Sequence, residues 1–141
     1  MASLYRRAFL SYATHDRPEV LKRAQALRAA HIEFFQDLLS IEPGERWERR
    51  LYQEIDRCDL FLLFWSKKAA ASKWVLREAE RAVARQNASA DEEPDITPII
   101  LEGPPVPQPI PDSLKHLHFN DHLLYLISDT QREQRATNFL Q

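Results

Sequence analysis

The sequence predicts an α/β domain of the flavodoxin-like type, with helices on both sides of a five-stranded parallel sheet in the strand order 2-1-3-4-5. Strand-like and helix-like segments alternate along the chain, which is typical of a parallel sheet with right-handed crossovers. Residues 60–65 are apolar at every position, as expected for a central strand covered by helices on both faces. In this strand order the ligand crevice opens between the first and third strands.

Size and charge narrow the class of protein. The chain has 141 residues, of which 44% are hydrophobic and 28% are charged, which suits a single domain over residues 1–141. A net charge of −2 favours neither nucleic acid nor an anionic membrane as a direct partner. Cys58 is the lone cysteine, and neither a secretion signal nor a membrane-spanning run is present. We therefore expect a cytoplasmic protein.

The first half of the chain is expected to form two strands and two helices. Residues 8–12 are the first strand, and Asp16 caps the first helix, with Pro18 and Glu19 completing a start that resembles a capping box. Residues 31–39 are the second strand, because they carry bulky β-forming side chains. The second helix follows a turn, and its apolar face is spaced in helical steps. That face consists of Trp47, Leu51, Ile55 and Cys58.

The second half is expected to contain the central strand, a helix capped by Ser72, and a fourth strand over residues 96–101. The proline-dense residues 104–111 cannot form a regular helix or a central strand, so they are expected to connect elements on the surface. Residues 117–119 are predicted as the fifth strand, and a last helix follows from about residue 121.

Trp74 and Glu78 form the first candidate for chemistry. They lie one turn apart on the predicted third helix and so share a face, near the carboxyl end of the third strand. A carboxylate against an aromatic wall is a candidate reactive group, although a glutamate on a helix is most often a solvated surface charge. Arg77 and Arg81 are expected to keep Glu78 ionised. Ser11, Tyr12 and Ser66 would border the same crevice.

Other chemistries are disfavoured. Gly44 and Gly103 are the only glycines, too few for a glycine-rich phosphate loop. Cys58 is interpreted as a small buried hydrophobe, and the histidines near residue 118 match no strong metal-ligand pattern. The third strand ends in Ser66, without the aspartate of a phosphoacceptor receiver. We expect no metal and no cofactor.

Four short motifs, in this order, resemble a Toll/interleukin-1 receptor (TIR) domain of the bacterial NAD+-cleaving type. They are the strand over residues 9–12 with Asp16, an acid at Asp37 ahead of Pro43 and Gly44, a strand ending at Ser66, and the run from Ser72 to Glu78 that includes Trp74. The resemblance spans nearly the whole chain. It departs from the family pattern at residues 7–8 and 13–14, and no clear Phe-Trp third box follows.

The resemblance implies a hydrolase that takes NAD+ as its substrate and cleaves the bond between nicotinamide and ribose. Glu78 would be the catalytic residue. The substrate would be bound by residues from four parts of the chain, and Pro43 and Gly44 would form an oligomerisation loop. These substrate-binding residues are Ser11, Tyr12, Asp37, Glu42, Trp47, Ser66 and Trp74.

The resemblance also implies partners and a role. Other TIR domains would be the protein partners, in a homo-oligomer or filament that activates the enzyme. Hydrolysis, or cyclisation to a cyclic ADP-ribose isomer, would deplete NAD+ in an innate immune response such as antiphage defence, with this domain as the amino-terminal effector of a longer protein. One alternative stays open, a non-catalytic TIR adaptor that mediates homotypic contacts. The TIR motifs argue against another, a nucleoside deoxyribosyltransferase with a covalent sugar intermediate.

Overall fold

The structure, a computed structural model, describes residues 5–35, 47–103, 105–117 and 119. Two short 3-10 helices, Thr14–Asp16 and Asp112–Leu114, lie among the strands and α-helices. In chain order, those strands and helices are β1 (Arg7–Ser11), α1 (Arg17–Ala29), β2 (Glu33–Phe35), α2 (Trp47–Arg57), β3 (Leu60–Trp65), α3 (Lys67–Ala70), α4 (Lys73–Ala88) and β4 (Asp95–Ile100).

The sheet is parallel and its strand order is β2-β1-β3-β4. In the register, Phe9 of β1 lies beside Phe35 of β2 on one side and beside Phe61 of β3 on the other. The α/β class, the parallel sheet and the predicted order of the first four strands are therefore confirmed. Pro98 is in β4, which lies at an edge of the described sheet, where a missing N–H donor is tolerated.

The fifth strand is not found in the part of the chain that the structure describes. Leu117 and Phe119 lie outside any strand, and His118 between them is not described. Both side chains pack against the core, and the Phe119 ring meets Trp65 edge to face at 5.2 Å between centroids. These two apolar side chains reach the core from an irregular segment after a 3-10 helix.

β3 is the centre of the core, as its apolar sequence predicts. All six of its residues are fully buried. Alternate side chains enter two clusters: Leu60, Leu62 and Phe64 pack with α1, whereas Phe61, Leu63 and Trp65 pack with α2 and α4. Each such side chain contributes about 1.5–3 kcal/mol when fully buried. The sheet therefore carries helices on both faces.

β2 begins two residues later than predicted. His31 has a φ of 59° and ends the turn after α1, so that the strand begins only at Glu33. Its last described residue is Phe35, and the remainder of the predicted strand lies outside the described residues.

Asp16 does not cap α1 as predicted. It occupies the position before the helix, but its side chain makes no capping bond, because a 3-10 turn already gives its backbone a helical conformation. Its carboxylate instead accepts a hydrogen bond from the Ser66 hydroxyl, at the end of β3. The segment that leads into α1 is thus tied to the carboxyl end of the central strand.

No helix within the described residues is both long and apolar enough to span a bilayer.

Candidate active site

Glu78 is brought to the carboxyl end of the sheet by the start of α4. The Ser72 hydroxyl accepts a hydrogen bond from the Val75 N–H at 3.2 Å, which caps the helix as the sequence predicts. Glu78 lies in the second turn and is only 4% exposed. A carboxyl group that is buried to this extent requires polar partners.

Ser11 and Trp74 supply those partners. The Ser11 hydroxyl, on the last residue of β1, donates to Glu78 Oε1 at 2.9 Å, and Ser11 is itself fully buried. Trp74, one turn before Glu78, lines the same cavity, and its indole N–H, the only donor that this side chain has, lowers the pKa of the carboxyl. The structure therefore joins three of the predicted site residues into one cluster.

Burial dominates the electrostatics of this cluster. It raises the pKa of Glu78 from 4.5 to about 8, although the hydrogen bonds from Ser11 and Trp74 act in the opposite direction. The prediction that Arg77 and Arg81 keep Glu78 ionised is wrong, because both side chains face other partners. Arg77 lies over the Trp74 ring and Arg81 pairs with Asp56. The Glu78 carboxyl is therefore poised to gain or lose a proton near neutral pH, as general acids and bases often are.

A cavity of about 110 Å³ opens beside Glu78. It lies near the carboxyl end of β1, and its strand residues come from β1 and β2. The sequence predicted a crevice between the first and third strands, but no residue of β3 lines this cavity. Tyr12, Trp74 and Glu78 line the cavity. Ser11 does not line it but donates a hydrogen bond to Glu78. The remaining lining residues are Phe9, Leu10, Ala13, Thr14, Arg17, Phe35, Leu51 and Ser72.

Arg17 is a lining residue that the sequence did not single out. It is the first residue of α1 and is half-buried. Among the described lining residues it supplies the one positive charge. Its position just beyond residues 13–14, where the sequence departs from the family pattern, is the only sequence signal that could have identified it.

The other predicted site residues are not part of this described cluster. Ser66 bonds to Asp16 and caps α3, accepting from the Ala69 N–H at 3.0 Å, and it does not line the cavity. Trp47 begins α2, but its side chain lies outside the described part. Four further residues also lie outside the described residues, so their roles stay predictions: Asp37, Glu42, Pro43 and Gly44.

A larger cleft of about 610 Å³ is lined by β2, the start of β1 and the end of α1. Its charged lining residues are Arg7, Arg28, His31 and Glu33, and none of them is buried. A buried titratable group beside an aromatic ring is found at the Glu78 cavity and not in this cleft. We therefore place the candidate active site at Glu78.

Comparisons with known proteins agree with this fold. The family model for the TIR domain matches residues 8–136. The TIR domain of the Toll-related receptor TRR-2 from Hydra magnipapillata has a TM-score of 0.66 at 17% identity, over 92% of this chain and 95% of that one. No curated protein matches this chain.

A second solved structure comes from a large assembly. The TIR domains of the activated Roq1 resistosome, which directly recognises the pathogen effector XopQ, have a TM-score of 0.61 at 19% identity. The alignment covers 90% of this chain and 71% of that one. The family match over most of the sequence shows that this chain belongs to the TIR domain family, and both solved structures share its fold.

Proposed function

We propose that this TIR domain is an NAD+ nucleosidase that cleaves the bond between nicotinamide and ribose, with Glu78 as its catalytic residue. The observation that carries the proposal is the buried Glu78 carboxyl, held by Ser11 and Trp74 in the wall of a cavity at the carboxyl end of β1. Desolvation of this carboxyl opposes folding. Strongly perturbed carboxyls in a cleft are concentrated at functional sites.

One carboxylate is sufficient for this reaction. As the bond from ribose C1′ to the pyridinium nitrogen breaks, its electron pair goes to nicotinamide, which leaves as a neutral base. The leaving group therefore needs no proton, unlike the alkoxide expelled by a glycosidase, which requires a second carboxyl group as the acid. The ribosyl cation does need stabilisation, and the ionised Glu78 would provide it while accepting a hydrogen bond from a ribose hydroxyl.

Two nucleophiles can capture the cation. Attack by water at C1′, with loss of a proton to solvent, completes hydrolysis. Attack by a ring nitrogen of the adenine in the same molecule gives a cyclic ADP-ribose isomer.

Two side chains in the cavity wall are suited to bind the substrate. The ring of Trp74 would border the nicotinamide ribose and exclude bulk water, and Arg17 offers a positive charge suited to a phosphate of the substrate.

The pKa of Glu78 leads to a pH prediction. Because this pKa is about 8, most chains carry a neutral Glu78 at pH 6, and the ionised fraction grows about tenfold per pH unit until the pKa is reached. We expect kcat/KM for NAD+ cleavage to rise from pH 6 to pH 8 and to level off above that, since this ratio reports ionisation of the free enzyme. A flat or falling profile over this interval would mean that ionised Glu78 is not the active form.

Self-assembly is the second part of the proposal. The cavity of about 110 Å³ is smaller than the roughly 300–1,000 Å³ of most small-molecule sites. The described part of one chain thus offers room for about one ring of a dinucleotide. We infer that a neighbouring copy completes the site in a homo-oligomer or filament, through the loop at Pro43 and Gly44. The presence of TIR domains in the Roq1 resistosome supports this inference.

Replacing Gly44 with leucine tests that inference. We expect the variant to lose self-association and NAD+ cleavage together, measured by analytical ultracentrifugation and nicotinamide release at matched concentrations. Ala90→Leu, a bulky substitution at an exposed loop position after α4, is the control and should change neither. A Gly44→Leu protein that is strictly monomeric yet fully active would exclude a shared site.

Such an enzyme would act by depleting NAD+ in the cytoplasm, as in antiphage defence and other innate immune responses. The alternative, a TIR adaptor without catalysis, needs only a docking surface. It offers no role for a carboxyl group that is buried beside a cavity with its pKa raised.

A further inference from the structure

Trp74 is held from two sides. On one side it lines the same cavity as Glu78, one helical turn away, and its indole N–H lowers the pKa of that carboxyl. It also stacks on the Tyr52 ring of α2, with the two ring centroids 5.9 Å apart and the planes 21° from parallel. The orientation of the indole N–H toward Glu78 therefore depends on where α2 places Tyr52.

Tyr52 is itself held by Arg81. This arginine is two helical turns after Trp74 on α4, and its guanidinium carbon lies 4.3 Å from the centroid of the Tyr52 ring. Asp56, one turn after Tyr52 on α2, accepts two hydrogen bonds from the guanidinium: Nε to Oδ1 at 3.0 Å and Nη2 to Oδ2 at 2.7 Å. The contacts thus run from Asp56 through Arg81 and Tyr52 to Trp74, which lines the cavity together with Glu78.

Stability alone does not account for this arrangement. The side chains of Arg81 and Asp56 are 41% and 45% exposed, and ion pairs at such positions contribute little to folding. A bidentate arginine–carboxylate pair does, however, fix the plane and direction of the guanidinium. The pair therefore acts on the orientation of what the guanidinium touches, which is the Tyr52 ring.

We propose that Arg81 is a positioning residue: clamped by Asp56, it holds Tyr52 against Trp74 and thereby keeps the Trp74 indole directed at the Glu78 carboxyl. Its consequence for catalysis rests on the proposed NAD+ cleavage, but the positioning itself does not. Among the described residues, the other charged or titratable groups facing this cluster are Tyr12 and Arg17 in the cavity wall and Arg77 over Trp74. None of these three is altered by the test.

The test measures the pKa of Glu78 without substrate, by carbon-13 NMR of the glutamate carboxyl carbons, with Glu78→Gln identifying the signal. The Trp74 hydrogen bond lowers this pKa. Loss of its alignment in Arg81→Met should therefore raise the pKa by roughly half a pH unit to one pH unit.

Asp56→Ala separates positioning from simple charge effects. Removing a negative charge would by Coulomb's law lower the pKa of Glu78, whereas releasing the clamp should raise it, as Arg81→Met does. Arg85→Met is the matched control. Arg85 also joins α4 to α2, donating to the Ile55 and Cys58 carbonyls at 2.8 and 2.6 Å, without contacting Tyr52 or Trp74 in the described structure. It should leave the Glu78 pKa unchanged.

The outcomes are distinct. A raised Glu78 pKa in both Arg81→Met and Asp56→Ala, with none in Arg85→Met, supports the proposal. An unchanged pKa in Arg81→Met, a lowered pKa in Asp56→Ala, or an equal rise in Arg85→Met would overturn it. If the titrations agree but the wild-type chain cleaves no NAD+, the proposed function fails while the positioning role stands. If the wild type is active, the rising limb of its pH profile should move upward in Arg81→Met by the same amount.

Discussion

Replacing Glu78 with glutamine is expected to reduce NAD+ cleavage by roughly a thousandfold or more. The amide keeps the size of the side chain and an oxygen that can accept from Ser11 and Trp74. It cannot become negatively charged, so the ribosyl cation loses its counter-charge in a site largely shielded from water. The measurement is nicotinamide release by wild type and variant at equal concentration, at pH 8, where the wild-type carboxyl is about half ionised.

The same variant should be at least as stable as the wild type. The folded pKa of Glu78, about 8, is above its ordinary value of 4.5. The proton on Glu78 therefore contributes to the free energy of unfolding in full below about pH 4.5. This contribution, on the order of a few kcal/mol, is lost as the pH rises to about 8. Glutamine does not titrate. In thermal unfolding, the melting temperature of the variant should increase relative to that of the wild type between pH 5 and pH 8. A variant that melts below the wild type at pH 8 would contradict the raised pKa of Glu78.

Replacing Trp74 with alanine should have the next largest effect on activity, a loss of about a hundredfold. A hydrogen bond to a charged group is worth about 1.5–3 kcal/mol, and each 1.4 kcal/mol changes a rate tenfold. Alanine also removes the aromatic wall of the cavity and the stack on Tyr52. The quantity to measure is kcat/KM, because Trp74 is expected to act on both binding and charge stabilisation.

Trp74→Phe is the matched control for the indole N–H. It keeps a ring against Tyr52 and the cavity but removes the donor, so we expect a loss of about tenfold and a raised Glu78 pKa. Activity within about twofold of wild type in Trp74→Ala would remove this residue from the mechanism.

The sheet could be predicted because its signal is local. Residues 60–65 are apolar without interruption, and only a strand with both faces covered accommodates such a run, as β3 does. The fifth strand could not be predicted in this way, because Leu117 and Phe119 are partly buried against the core without belonging to a strand. Apolar residues in a short segment report burial, and burial alone does not specify a strand.

The pairing of Trp74 with Glu78 was also a local prediction, since residues one helical turn apart share a face. The protonation state of the Glu78 carboxyl could not be predicted locally. Arg77 and Arg81 are close to Glu78 in sequence, but their side chains contact Trp74, Tyr52 and Asp56 instead. The burial of Glu78 and its hydrogen bond from Ser11, which is 67 residues away in the chain, arise only in the tertiary fold. Arg17 was missed for the same reason, because the cavity it lines is formed only by the tertiary fold.

The Asp16 cap failed through competition between two local structures. The sequence around Asp16 and Pro18 satisfies the rules for a helix start, but residues 14–16 form a 3-10 turn directly before the helix. The Asp16 carboxylate then meets Ser66, a partner 50 positions along the chain. Local rules could not weigh a tertiary hydrogen bond against a cap.

The most direct test of the account is NAD+ consumption and nicotinamide release by the purified chain, followed over a range of protein concentrations and with a crowding agent, beside Glu78→Gln. We predict activity that rises more steeply than the protein concentration and is absent from the variant, with chromatography of the products separating hydrolysis from cyclisation. Self-association without nicotinamide release under every condition, or equal release by Glu78→Gln, would contradict the central claim that this TIR domain cleaves NAD+ through Glu78.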